Sequence, residues 1–225
     1  NAISQAMEAE GLEVQFVQGR RYTDNRTLAV VEHVLCRGIN ERICATIERL
    51  GASAMGLHTL SSGVLFAEKL FLSADGRQID LGQVGRVTRV NDKLLRLLCQ
   101  ADTIPVVAPL ARDKTGAKLN CNADTAAGEV AAALPAEKLV VVSDTHGIRR
   151  DPEDPESLAS RLGEDEIRSM IAEGAISAGM LPKVEACLRA LDAGVSRAHI
   201  IDGRFGHSLL LEIFSEAGVG TLITK

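Results

Sequence analysis

The chain has 225 residues, 46% of them hydrophobic, with 25 basic against 30 acidic side chains and a formal net charge of −5. That is enough apolar material for one large domain or two fused lobes without disulfide staples. The densest basic group is Arg20-Arg21 with Arg26, too little for a nucleic-acid binder, and no apolar run approaches the ~20 residues of a membrane span. Five cysteines without a C-x-x-C pair read as reduced core thiols rather than a zinc site or disulfide framework. With no leader-like segment either, the composition predicts a soluble cytoplasmic protein.

In chain order, residues 2–10 look helical. Residues 27–37 place Leu28, Val31 and Leu35 on one face, with Asp24 as cap and Gly38 as stop. A second helix follows through Ile39, Ile43, Ile47 and Leu50, ended by Gly51, and residues 53–57 read as a buried strand. Residues 64–72, an Asp75-Gly76 turn and residues 78–81 predict a β-hairpin. A helix over 91–100 is built on Leu94, Leu97 and Leu98, then comes a strand over 104–108 and a turn at Thr115-Gly116. Asn122 caps an alanine-rich helix that Pro135 stops, and residues 139–142 form the clearest buried strand. After a loop marked by Pro152 and Pro155 come helices over 164–173 and 183–193, the second through Val184, Cys187, Leu188 and Leu191. Strand 199–201, helix 208–214 and strand 221–224 close the pattern. Strands alternating with helices predict an α/β fold with a mainly parallel sheet, whose ligands collect at the carboxyl ends of the strands.

Four polar groups could carry chemistry. Asn120-Cys121-Asn122-Ala123-Asp124 lies between a turn and a helix, where an amide can hold a carboxylate and Asp124 can orient a lysine; an ordinary helix cap is the other reading. Ser143-Asp144-Thr145-His146-Gly147 follows the clearest strand and suits either a nucleotide or a plain polar loop. Lys183, in Gly179-Met180-Leu181-Pro182-Lys183, opposes the dipole of the helix it opens, which fits a phosphoryl clamp or a solvated lysine. Gln18-Gly19-Arg20-Arg21 offers a guanidinium fork for a carboxylate, or a surface pair. The five histidines show no metal-ligand spacing, and neither G-x-x-x-x-G-K-[ST] nor G-x-G-x-x-G occurs, which disfavours a dehydrogenase-type domain.

The order Gly-Arg-Arg-Tyr-Thr-Asp, Asn-Cys-Asn-Ala-Asp, Val-Ser-Asp-x-x-Gly-Ile, Gly-Met-x-x-Lys-Val and Gly-Val-Gly-Thr resembles the acetylglutamate kinases of the amino-acid kinase family over essentially the whole chain. The resemblance implies a three-layer αβα sandwich with a mainly parallel central sheet. It implies a lobe at 1–135 for substrate and dimerisation and a lobe at 136–225 for ATP. The implied reaction is ATP-dependent phosphorylation of the side-chain carboxylate of N-acetyl-L-glutamate in arginine biosynthesis. Arg21 and Asn120 would hold the acyl amino acid, Asp124 would organise catalytic lysines, and Lys183 would stabilise the transferring phosphoryl group. Ser143, Asp144, Gly147, Ile148 and Arg149 would bind the nucleotide, with Ser177, Gly179 and Met180. Mg2+ would be held mainly through ATP phosphates, with no protein metal site.

The same resemblance places a Lys-x-Gly-Gly strand and a Gly-Gly-Gly loop before Asn1, so this sequence reads as N-terminally incomplete. The stretch from His199 to Phe214 is similar to arginine-inhibited members, which form hexamers, and Glu216-Ala217-Gly218 departs from their usual motif. A homodimer or hexamer is expected, and the departure leaves arginine feedback open. Two neighbouring functions share the pattern: a kinase of a related acyl amino acid such as acetylaminoadipate, one methylene longer, and a non-catalytic ligand-sensing relative.

Overall fold

A computed structural model describes residues 2–74, 76–151, 153–154, 156–214 and 218–225, so the features expected at Asp75, Pro152, Pro155, Glu216 and Ala217 lie outside it. The chain divides into two compact units, Asn1–Ala126 and Ala127–Lys225.

In the first unit, α1 (Ala2–Ala9) buries Met7, and a short antiparallel ribbon follows, β1 (Phe16–Val17) with β2 (Arg20–Arg21). Asp24 caps α2 (Asn25–Glu32) as expected, its carboxylate accepting the Thr27 N–H at 2.7 Å. Gly38 does not stop the helix. The path continues through a π-helical segment, His33–Asn40, into α3 (Glu41–Arg49). The widened turn still gives the backbone around Gly38 helical partners, so glycine alone does not break it. At the end of this segment Asn40 turns inward, 3% exposed, and donates through Nδ2 to the Val106 carbonyl at 2.7 Å.

The strand β3 (Ser53–Leu57) forms where expected, but only Leu57 is buried. Ser53, Ala54 and Gly56 carry little apolar surface, and Met55 faces outward. The hairpin is β4 (Leu65–Ala74) and β5 (Arg77–Val90), its second strand running well past the expected end. Next comes α4 (Asp92–Gln100), which buries Leu95 and leaves Leu97 63% exposed, a different face from the one expected. The Asn91 side chain accepts the Leu94 N–H and so sets the phase of the helix, turning Leu95 inward. β6 (Thr103–Val107) pairs in parallel with β3. Two short strands, β7 (Leu110–Arg112) and β8 (Lys118–Cys121), close a small barrel with the hairpin in the order β4-β5-β8-β7.

A helix α5 (Ala123–Ala133) starts after Asn122, whose Oδ1 accepts the Thr125 N–H at 2.9 Å, and the division between the units falls within it. The second unit continues with β9 (Lys138–Ser143), β10 (Arg161–Gly163), α6 (Glu164–Ala172), α7 (Leu181–Asp192), β11 (Arg197–Asp202), α8 (Ser208–Phe214) and β12 (Thr221–Thr224). Its sheet has the order β10-β12-β11-β9, parallel at β9–β11 and β10–β12 and antiparallel at β11–β12. The stripe expected on α7 is the heart of this core: Val184, Cys187, Leu188 and Leu191 are at most 5% exposed and pack with Leu139, Val141, Ile200 and Ile223. Each such side chain contributes roughly 1.5–3 kcal/mol of burial. The fold is α/β, and parallel pairing places the carboxyl ends of β9 and β11 side by side. Among the described residues no helix is long and apolar enough to cross a membrane.

Candidate active site

The first unit builds a polar cluster around Arg21. Arg21 is 8% exposed, and its guanidinium donates to the Ser4 Oγ at 3.0 Å and the Met7 Sδ at 3.2 Å and lies 4.7 Å from the Phe16 ring centre. None of these partners is an anion, and burial holds the group below its ordinary pKa. Thr23, fully buried, links the two residues expected to bind substrate. Its hydroxyl donates to the Arg21 carbonyl at 2.9 Å and accepts from Asn120 Nδ2 at 3.2 Å. Both ends of this link rest on β5: Thr23 bridges to Gly82, and β8 pairs Asn120 with Val84.

Behind β8, Glu32 accepts from Thr59 Oγ1 at 2.6 Å and from Lys118 Nζ at 2.7 Å. Burial works against that carboxylate, but these hydrogen bonds outweigh it and its pKa falls below the ordinary value. Asp124 stands in the first turn of α5, half-buried. Cys121, beside Asn120, is no nucleophile: burial pushes its thiol up to about 12.

The second unit contains a cavity of about 400 Å³ lined by loops after β9, α6 and β11. The first loop supplies Asp144 through Arg149, the second Ala175, Ile176, Ser177 and Met180, and the third Arg204. Gly147 has φ +136, and a Cβ there would meet the Thr221 Oγ1 at 2.5 Å, so the first loop can take this path only with glycine. The same Thr221 hydroxyl accepts the Ile148 N–H at 2.8 Å and fixes the loop against β12. Ser143 ends β9 beneath this loop and Gly179 precedes Met180, both outside the cavity lining. Lys183 lies in the first turn of α7, half-buried, where a cation opposes the helix dipole by roughly 0.3–1 kcal/mol.

The model of the amino acid kinase family matches residues 1–202. The chain belongs to that family. It is 43% identical over 224 residues to acetylglutamate kinase of Halothermothrix orenii, covering 100% of this chain and 77% of that one. Acetylglutamate kinase of Heliobacterium modesticaldum is 45% identical over 228 residues, covering 99% and 77%. Among solved structures, N-acetylglutamate synthase of Neisseria gonorrhoeae, complexed with coenzyme A and N-acetyl-glutamate, superposes with a TM-score of 0.85 at 26% identity, over 99% of this chain and 49% of that one. The kinase reading of the motifs thus stands with the two sequence relatives, which are acetylglutamate kinases by name.

Within this kinase, the structure brings Arg21 and Asn120 together, and it gathers Asp144, Gly147, Ile148, Arg149, Ser177 and Met180 around one cavity. Thr23, His146 and Arg204 are additional members of these clusters. Thr23 sits inside the Arg-Arg-Tyr-Thr-Asp motif, which is the one signal in the sequence that could have singled it out. Arg204 follows a different strand from the other lining residues, and nothing local marks it.

Proposed function

We propose that this chain transfers the γ-phosphoryl group of ATP to the side-chain carboxylate of N-acetyl-L-glutamate. The observation that carries this reading is Arg21: a buried guanidinium with no carboxylate partner among the described residues, tied through Thr23 to the amide of Asn120. A carboxylated amino-acid derivative supplies the missing anion, and an amide can hold its acyl or carboxyl oxygen. In the second unit the cavity takes the nucleotide, with Ile176 and Met180 offering apolar surface to the base and Asp144 a carboxylate to the sugar.

The substrate carboxylate oxygen attacks the γ-phosphorus, a P–O bond forms, and the bond to the β–γ bridging oxygen breaks in line to release ADP. Lys183 stabilises charge on the transferring oxygens. Among the described residues no group of three or more histidine, cysteine or acidic side chains could hold a metal ion. Magnesium would be carried on the nucleotide phosphates and would neutralise part of their charge. Exposed Ile43, Leu50, Met55, Leu97 and Ile104 in the first unit support a homodimer, which sedimentation velocity would test. Arginine feedback is tested by titrating arginine into the same assay.

The deciding experiment traps acyl phosphate as hydroxamate from N-acetyl-L-glutamate and Mg-ATP, using the chain together with whatever its gene encodes upstream of Asn1. Product is expected, and Lys183→Ala should lower kcat by about a hundredfold or more with the fold intact. Product from acetylaminoadipate alone would transfer the assignment to that substrate. No product from either, in a folded protein that binds ATP, would favour a ligand sensor.

A further inference from the structure

Asp202 closes β11 and is only 2% exposed, an unusual depth for an acid at the end of a strand. Parallel register sets it beside Ser143, the last residue of β9, so it reaches the same rim as the loop that lines the nucleotide cavity. The chain then crosses the end of β9. Gly203 donates its N–H to the Ser143 carbonyl at 2.8 Å, and a Cβ on Gly203 would come within 2.5 Å of the Val142 Cγ1. That close crossing delivers Arg204 to the cavity wall.

The Asp202 carboxylate grips Arg204 in several ways. Oδ1 accepts the Arg204 backbone N–H at 2.9 Å and Nε at 2.9 Å, while Oδ2 accepts Nε at 3.2 Å and Nη2 at 2.7 Å. His146, also in the lining, places Nδ1 3.0 Å from the same Oδ2. The fork engages Nε and Nη2 and does not use Nη1, and the Arg204 side chain remains 61% exposed at the cavity. Hydrogen bonds from the Arg204 side chain and its backbone N–H hold Asp202 down to about 2, so the anchor stays ionised. An ion pair between a buried acid and an exposed guanidinium contributes little net stability, so stability alone does not explain why the acid is buried here. A guanidinium fixed in advance at a binding cavity is, by contrast, suited to a multiply charged oxyanion.

We propose that Arg204 is a specificity-determining residue that takes the phosphate chain of the bound nucleotide, and that Asp202 is its positioning residue. This rests on the nucleotide reading of the cavity given above. The test titrates adenosine, ADP and ATP calorimetrically into the full-length protein and into Arg204→Gln, Arg204→Lys and Asp202→Asn, with circular dichroism as the fold control. Arg204→Gln should weaken ADP and ATP about ten- to hundredfold while leaving adenosine unchanged. Arg204→Lys should recover part of that loss, and Asp202→Asn should resemble Arg204→Gln.

Equal losses for adenosine and ATP, or no loss at all, would overturn the assignment to Arg204. Unchanged ATP binding in Asp202→Asn would overturn the positioning role. Wild-type protein that binds no adenine ligand would defeat the nucleotide reading and this inference together. Wild type that binds ATP but forms no acyl phosphate would defeat only the acyl-kinase reading.

Discussion

Thr23 is a single hydroxyl on which two expected substrate residues depend. It donates to the Arg21 carbonyl and accepts from the Asn120 amide while fully buried. Thr23→Val keeps the shape but leaves that carbonyl and amide each short of one partner. A loss of about 1–3 kcal/mol in urea unfolding is expected, together with a raised KM for the acyl substrate. An unchanged midpoint would count against the link. The cysteines separate as sharply. Burial raises Cys36 to about 11 and Cys121 to about 12, whereas Cys99 is exposed. Brief treatment of the native protein with a thiol reagent should modify Cys99 and spare the other two, read by peptide mass. Rapid labelling of Cys121 would show that the β8 strand is open to solvent.

Elements were legible in the sequence wherever a short polar side chain precedes a long apolar period. Asp24, Asn91 and Asn122 each accept a backbone N–H at the start of the helix expected to follow. The stripe of α7 was legible for a related reason: twelve helical residues give enough repeats to fix the buried face. Ribbons of two residues, such as β1 and β2, hold no period at all. The loop after β9 announced its part of the cavity as one contiguous motif, but Arg204 reaches the same wall from another strand through hydrogen bonds that the sequence does not express. A similar long-range tie joins β11, α8 and β12. Glu212, 7% exposed, lies 2.7 Å from His199 Nδ1 and accepts the N–H groups of Val219 and Gly220 at 2.6 and 3.0 Å. Glu212→Ala strips partners from a buried histidine and two backbone donors. Thermal or urea unfolding should show a loss of about 3–5 kcal/mol. A near-neutral result would mean that these three elements hold together by packing alone.

At the scale of the molecule, the acids that carry shifts set the response to pH. Asp24, Asp80, Asp113 and Asp202 all lie below the ordinary aspartate value, held there chiefly by hydrogen bonds. Unfolded, such groups take up protons near pH ~3.9; folded, they resist until lower pH. Protons therefore favour the unfolded chain. The stabilisation is fully present above about pH 4 and is lost as pH falls towards the folded values, about 2 for Asp202. Urea midpoints should fall between neutral pH and pH ~3, and a flat profile would contradict the sign. The π-helical turn before α3 has a consequence of another kind, one that concerns length. A π turn holds more residues than an α turn, so a single codon lost between His33 and Asn40 would let the stretch close as an ordinary α-helix running into α3. Asn40 ends the widened stretch, so its reach to the Val106 carbonyl is tied to the number of residues before it. One-residue deletions should be tolerated better here than inside α2 or α3.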